Sequence, residues 1–280
     1  MIKNREIIQS IPPDKKLEMI ADGNCLNGEG LACGVPRVVP ASLEGVNATC
    51  GEIYPSFPFL AASWNKELVS AVAGDLSLRA KAQGANLLFT PEGKTKGNPY
   101  TSGISEDPLY TAAFLSDIVK SVKGAGATPC IPGCALTDCD ADYMDISPSA
   151  RAIYEYVFSP LNMFSEHYGN VFMTSFTRLS GGYEKANCTV VSHILHSLAS
   201  DGGFVICSEA EQDLSAESVA AGNAFAYKSD LSALKSAADS GTLSAEQIDC
   251  AVDKIVDFAL YCNMGAETEC HRHRVPPAGA

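Results

Sequence analysis

The chain has 280 residues, of which 46% are apolar and 19% are charged, a composition typical of globular proteins. Its 20 Lys and Arg against 33 Asp and Glu give a formal net charge of −13, the wrong sign for binding a phosphate backbone. No apolar run approaches the roughly 20 residues of a membrane span, and the first ten residues lack the continuous apolar stretch of a secretory signal. We therefore expect a cytoplasmic location, with neither a membrane nor a nucleic acid as partner.

The 11 cysteines are an odd number, so they cannot all pair within the chain. Without a secretory signal, reduced and mostly buried thiols are the expected state. Cys130, Cys134 and Cys139 lie close to three aspartates, but their spacing matches no common zinc, iron–sulfur or calcium pattern. We expect no metal and no cofactor.

Amphipathic stretches alternate with short apolar runs along most of the chain, a pattern typical of βα units and a parallel sheet. The pattern predicts helices over 64–84, 108–123, 149–167 and 189–200, and strands over 86–90, 127–131, 170–175 and 203–207. The last 60 residues are predicted to be helical. There Ser244 and Gln247 form a capping box ahead of an apolar stripe that begins at Ile248 and ends at Ala259.

Repeated βα units fit either a TIM-type barrel or an open doubly wound sheet. The glycine-rich pieces at 124–126, 181–182 and 202–203 follow predicted helices or precede strands, which are the wrong places for a phosphate-binding loop. The sequence therefore favours an α/β fold of the TIM-type (β/α)8-like barrel kind. We expect a single domain over 1–265 with a helical C-terminal segment, and a flexible tail over 266–280.

Several strings, in order, resemble the N-terminal barrel domain of glycoside hydrolase family 3, which includes β-glucosidases and β-N-acetylglucosaminidases. They are Pro58-Phe-Leu-Ala-Ala-Ser-Trp-Asn-Lys-Glu-Leu68, the stretch 80–88, Ser105-Glu-Asp-Pro108, Met173-Thr-Ser-Phe176, Gly203-Phe-Val-Ile206 and the predicted helix over 243–255. The resemblance covers about residues 10–264. It implies hydrolysis of β-linked sugars with retention, through a covalent glycosyl-enzyme.

The family nucleophile is an Asp at the end of the strand that reads 203–207 here, and without a gap its place falls on Ser208. A serine hydroxyl is not ionised near neutral pH and offers no carboxylate leaving group for the second step. Glu209 is the next residue along the chain. Because successive strand residues point to opposite faces, Glu209 needs a bulge to reach the same place.

The resemblance also implies charged residues that hold the sugar, and these are replaced. The family's Asp falls on Ala41, its Arg on Pro99, and its Lys-His pair on Pro129 and Cys130. A pocket without these charges lacks the charge-assisted hydrogen bonds that discriminate hydroxyl groups. The positions that the resemblance places around the substrate are Ala41, Ser42, Cys130, Met173 and Phe176.

The acid/base of single-domain family members is an Asp-x-His pair on the loop after a Pro-Gly. Here Asp140 stands at the Asp position and Asp142 replaces the His. Two close carboxylates can share a proton and raise one pKa, whereas separated loop acids are simply solvated.

Three functional hypotheses follow. The first is a barrel that has lost hydrolysis and acts as a carbohydrate-binding, regulatory or assembly subunit, with a carbohydrate as ligand and self-association or a protein partner as its assembly. The second is a divergent active β-glycosidase that uses Asp140, Asp142 or Glu209. The third is a structural subunit that packs on an active member of the same family.

Overall fold

The computed structural model describes residues 4–22, 39–44, 46, 53–92, 103–132, 145–146, 149, 151, 155, 171–174, 178–179, 182–183, 204–207, 215–223 and 230–268. Its helices are α1 (Arg5–Ser10), α2 (Pro13–Asp22), α3 (Phe57–Ala62), α4 (Lys66–Ala82), α5 (Pro108–Gly124), α6 (Ser215–Ala221), α7 (Leu231–Asp239) and α8 (Ala245–Thr268). Its strands are β1 (Pro40–Ser42), β2 (Leu87–Phe89), β3 (Thr128–Ile131), β4 (Asp145–Ile146), β5 (Val171–Thr174), β6 (Arg178–Leu179), β7 (Gly182–Tyr183) and β8 (Phe204–Cys207).

Within the described ranges, the main sheet has five strands in the order β1-β2-β3-β5-β8, and every neighbouring pair in it is parallel. The order across the sheet therefore follows the order along the chain. A doubly wound sheet reverses direction at a switch point, whereas a barrel is wound in one direction only. The strand order thus agrees with the predicted barrel winding. A second sheet, β4-β6-β7, pairs β4 with β6 in parallel and β6 with β7 as an antiparallel ribbon.

Both faces of the main sheet are buried. On one face, Leu88, Ile131, Phe172 and Val205 pack with the apolar sides of α4 and α5; we call this the first apolar cluster. On the other, strand residues pack with α1, α2, α7 and α8 in the second apolar cluster; they are Leu87, Cys130, Val171, Phe204 and Ile206. A closed TIM barrel fills its inner face with side chains from its own strands. Among the residues that the structure describes, helices near both ends of the chain cover the second face instead.

The same turn joins α4 to β2 and α5 to β3. Gly84 and Gly126 have φ angles of +90° and +74°, in the left-handed region that glycine adopts without a steric penalty. The next amide bonds back to a carbonyl in the last helical turn, Ala85 N to Ala80 O at 3.0 Å and Ala127 N to Val122 O at 3.2 Å. Since each helix returns at once into a strand, the first residues of α4 and α5 lie at the same end of the sheet as the last residues of β2 and β3.

The predicted capping box of α8 is confirmed. The Ser244 amide donates to Gln247 Oε1 at 2.9 Å, and the Gln247 amide donates to Ser244 Oγ at 3.2 Å. Helix α8 also contacts the first described residue of the chain. The Asn4 side-chain amide donates to Asp253 Oδ1 at 3.1 Å and to Asp257 Oδ1 at 2.6 Å. The helix continues to Thr268, three residues beyond the predicted domain boundary at 265.

The predicted strands over 86–90, 127–131, 170–175 and 203–207 and the predicted helices over 64–84 and 108–123 are confirmed, with ends that shift by one or two residues. The predicted helices over 149–167 and 189–200 lie almost entirely outside the described residues. Within the described ranges, no helix is long and apolar enough to cross a membrane.

We predict that Gly84→Ala lowers the free energy of unfolding by about 1–2 kcal/mol, because an L-residue there must adopt a left-handed backbone. No heavy atom lies within 4 Å of the added Cβ, so steric contact contributes nothing to this cost. Gly124→Ala is the matched control, because its Cβ also meets open space but its backbone is helical. This control is expected to be neutral or stabilising by up to about 1 kcal/mol. Urea unfolding measures both, and equal midpoints for the two variants would contradict the assignment.

Candidate functional site

Ligands of barrels and other parallel α/β folds bind at the carboxyl ends of the strands, on the residues that follow them. In this chain that end holds Ser42 at the end of β1, Thr90 after β2, Pro132 after β3 and Thr174 at the end of β5. The turns at Gly84 and Gly126 bring the first residues of α4 and α5 to the same end. This end of the sheet is the candidate functional site.

The described substrate positions lie on two faces of the sheet. Ala41 packs against the first apolar cluster, whereas Cys130 belongs to the second and Met173 packs against it. Ser42, the last residue of β1, is exposed. Cys130 is completely buried among apolar side chains, so its thiol has no contact with solvent at the site. The structure therefore brings Cys130 and Met173 to one face and leaves Ala41 on the other.

The remaining predicted residues lie outside the described part of the chain. They are Asp140, Asp142, Phe176, Ser208 and Glu209. Ser208 and Glu209 come directly after Cys207, the last residue of β8. Their assignments remain predictions.

Two buried threonines at the strand ends form hydrogen bonds within the sheet. Thr90 Oγ1 donates to the carbonyls of Pro91 at 3.1 Å and Cys130 at 3.3 Å. Thr174 Oγ1 donates to the carbonyl of Ile206 at 3.3 Å. Both hydroxyls thus pair with backbone carbonyls close to the site, and these bonds hold neighbouring strands together at their ends.

A pair of glutamates, Glu44 and Glu92, follows the neighbouring strands β1 and β2 at the candidate site. Partial burial raises the pKa of the Glu44 carboxyl, and the negative charge of Glu92 raises that pKa further. Neither residue was predicted from the sequence to lie at the site. The position of Glu92 three residues after β2 was the available signal, but only the pairing of β1 with β2 places Glu44 beside it.

One string that carries the family resemblance forms the start of α5. Asp107 Oδ1 accepts hydrogen bonds from the amides of Leu109 at 2.8 Å and Tyr110 at 3.0 Å, and Pro108 takes the first helical position. Thr111 Oγ1 bonds back to the Ser105 carbonyl at 2.9 Å. Ser105-Glu-Asp-Pro108 therefore acts as a helix start.

No group of three or more His, Cys, Asp or Glu side chains comes together as a metal-binding cluster among the residues with described positions.

We predict that Glu92→Gln lowers the pKa of Glu44 toward its ordinary value of 4.5, because it removes one of the two causes of the raised pKa. Burial, the larger cause, stays, so the pKa remains above that value. A ¹³C NMR titration of the side-chain carboxyls measures the shift. An unchanged Glu44 titration in Glu92→Gln would show that the two carboxylates do not interact.

We also predict a pH dependence of stability from Glu44. A raised folded-state pKa means that this carboxyl contributes stability below pH 4.5, and that the contribution disappears as the pH rises through the raised value. Glu44→Gln does not titrate, so its stability relative to the wild type is expected to increase between pH 4.5 and neutral pH. Urea unfolding across that range measures the difference. A pH-independent difference would contradict the prediction.

Comparisons with known proteins place this geometry in context. No model of a known protein family matches the chain. Among curated proteins, it is 26% identical over 170 residues to thermostable beta-glucosidase B of Acetivibrio thermocellus, covering 58% of this chain and 22% of that protein. It is 25% identical over 189 residues to a beta-glucosidase of Rhizobium radiobacter, covering 64% of this chain and 22% of that protein. The chain thus spans about a fifth of the length of the curated relatives it matches.

Solved structures give a match over nearly the whole chain. The GH3 beta-glucosidase of Bifidobacterium adolescentis superposes with a TM-score of 0.79 at 19% identity, covering 93% of this chain and 40% of that one. Beta-glucosidase 3B of Thermotoga neapolitana, solved in complex with glucose, has a TM-score of 0.76 at 19% identity and covers 95% of this chain and 44% of that one. The one-directional strand order and these similarities together show that the chain has a TIM-like barrel fold similar to that of the GH3 beta-glucosidases on which it superposes.

Proposed function

We propose that this domain binds carbohydrate but does not hydrolyse it by the retaining mechanism of the family it resembles. The observation that carries the proposal is the chemistry of the described positions where the resemblance implies charged sugar-binding residues. Ala41 packs into the first apolar cluster, and Cys130 is completely buried in the second. Neither side chain supplies the charge-assisted hydrogen bonds that such a site needs.

What the chain keeps of the family pattern also supports the proposal. Asp107 caps α5, and Asn65 caps α4 by accepting from the Leu68 amide at 2.9 Å. Both residues belong to strings that carry the resemblance, and both stabilise the fold without contributing to chemistry. The residues that build the barrel can therefore be retained while the residues that perform hydrolysis are lost.

The proposed loss concerns the covalent step in particular. Retaining hydrolysis needs two carboxyl groups about 5–5.5 Å apart, one of which attacks the anomeric carbon. The nucleophile position falls on Ser208, whose hydroxyl is neutral at ordinary pH. A neighbouring base could activate that hydroxyl for attack, but the glycosyl ether it would form lacks the carboxylate leaving group of the family mechanism.

Turnover of p-nitrophenyl β-glucoside and p-nitrophenyl N-acetyl-β-glucosaminide tests the proposal on the purified chain. We expect no hydrolysis above the uncatalysed rate, while glucose or cellobiose gives saturation-transfer NMR signals from binding. Ser208→Asp alone is expected to remain inactive, because the charged sugar-binding residues are also replaced. Wild-type turnover that a substitution of a strand-end residue abolishes would overturn the proposal.

A second candidate function is hydrolysis by a divergent pair of acids, and Glu44 and Glu92 favour it. Partial burial, and after it the negative charge of Glu92, raises the pKa of Glu44, which keeps this carboxyl protonated to higher pH as a general acid requires. If the chain turns over a β-glucoside, Glu44→Gln is expected to lower the rate by about 10²–10⁴-fold, the usual contribution of a general acid. Asp142→Asn and Glu209→Gln test the predicted loop and strand-end acids in the same assay. Unchanged rates in Glu44→Gln and Glu92→Gln would exclude the described pair.

A further inference from the structure

Trp64 is the chain's single tryptophan, and 77% of the residue's surface is exposed to solvent. It is also the one residue other than glycine with a positive φ angle, +57°, among those the structure describes. A bulky residue in this region is strained and persists only when its surroundings hold it there. Backbone strain of this kind clusters at functional sites, so the exposed Trp64 is a candidate binding residue.

The junction between α3 and α4 holds the backbone of Trp64. Its amide donates to the Ala61 carbonyl at 2.9 Å, while the next residue, Asn65, caps α4. The Asn65 amide in turn donates to Ser63 Oγ at 3.2 Å. These bonds hold the backbone on both sides of Trp64, from which the exposed indole projects.

The indole lies on a stack of aromatic rings. Its centroid is 4.5 Å from that of Tyr110 with an interplanar angle of 54°, and Tyr110 lies 4.4 Å from Phe114. The Tyr110 hydroxyl donates to the Ala61 carbonyl, which ties α5 to the end of α3. Lys66 Nζ lies 5.9 Å from the Phe114 ring centroid and adds a cation–π contact. The exposed indole is thus packed against Tyr110, which in turn packs against Phe114.

The aromatic stack lies at the functional end of the sheet. Trp64 precedes the first residue of α4, and Tyr110 is in the first turn of α5. Both helices return to their strands through tight turns, so their first residues share an end with the carboxyl ends of β2 and β3. A ligand bound there could extend toward the strand ends.

We propose that Trp64 is a carbohydrate-stacking platform that binds the apolar face of a pyranose ring at the candidate site. A pyranose presents C–H groups on one face and hydroxyls around its rim. The exposed indole matches the face. Ser63 Oγ and Asn65 Oδ1 are engaged in hydrogen bonds with the backbone, so we assign the rim to the half-exposed Lys66 ammonium, which lies 3.6 Å from Asp117 Oδ2 and has three N–H donors. This inference rests on the proposed carbohydrate binding and assigns one contact of it. A protein partner is the competing occupant, because Phe59 and Leu109 are also exposed.

The single tryptophan makes the test direct, because all indole fluorescence comes from Trp64. Glucose, cellobiose and laminaribiose are titrated against the full chain while emission and acrylamide quenching are recorded. We expect a saturable emission change and protection from quenching. Trp64→Gly removes the ring and relieves the strained backbone, and it is expected to weaken sugar binding, measured by NMR, by about tenfold or more.

Two further variants control the test. Trp64→Phe keeps an aromatic ring and is expected to retain more binding than Trp64→Gly. Phe59→Ala removes another exposed aromatic side chain, on α3, and is expected to bind sugar like the wild type. Urea unfolding of each variant checks that its fold is intact.

The outcomes separate this inference from the proposed function. NMR binding with unchanged Trp64 emission and normal affinity in Trp64→Gly would overturn the platform and leave carbohydrate binding standing. Absence of binding for every sugar by both methods would overturn carbohydrate binding itself, and the platform with it. Protection of Trp64 that depends on protein concentration and not on sugar would overturn the platform in favour of a protein interface.

Discussion

The constraint on which this structure depends is burial of short parallel strands on both faces. The five strands that the structure describes in the main sheet have three or four residues each, and almost every apolar side chain in them packs into one of the two clusters. Strands of this kind bury side chains on both faces, and among the strand residues whose burial the structure describes, Ser42 alone is exposed. Function must therefore lie on the residues after the strands and on the helix starts beside them. Cys130, the third residue of β3, is completely buried for the same reason.

Separation of fold from chemistry explains how the family likeness and the unusual strand-end residues coexist. Helix caps at Asn65 and Asp107 and tight turns at Gly84 and Gly126 determine where helices begin and where strands start. Each acts through backbone geometry and none needs a reactive group. The replacement of sugar-binding charges that we propose at Ala41 and Cys130 would leave these determinants untouched, and Cys130 stands where burial favours an apolar side chain.

Local sequence signals predicted the parts of the fold that local physics determines. The capping box and the strands β2, β3, β5 and β8 were predicted because each is encoded by residues close together in the sequence. The capping box is the pair Ser244 and Gln247, and each of these strands is a short apolar run. β1 was missed, since Pro40–Ser42 contains no apolar run and is stabilised by its pairing with β2. Periodicity also could not give the strand order or the covering of the second face, which depend on contacts between distant segments. Glu44 and Glu92 come together for the same non-local reason. Trp64 was predicted to begin a helix, but the Asn65 cap delays the helix to Lys66 and leaves Trp64 in the left-handed region.

The contacts of α8 with α2 and with Asn4, just before α1, affect the order in which the chain folds. Asn4 contacts Asp253 and Asp257, and Lys16 forms an ion pair with Asp249 at 2.6 Å, so these bonds join residues more than 230 positions apart. During synthesis, α4, α5 and their strands can pack as soon as they emerge, whereas the second face of the sheet must wait for the last described helix. Until then, the apolar side chains of that face are open to water and to other chains. The slow step in folding, and the species at greatest risk of aggregation, should therefore be the half-covered sheet.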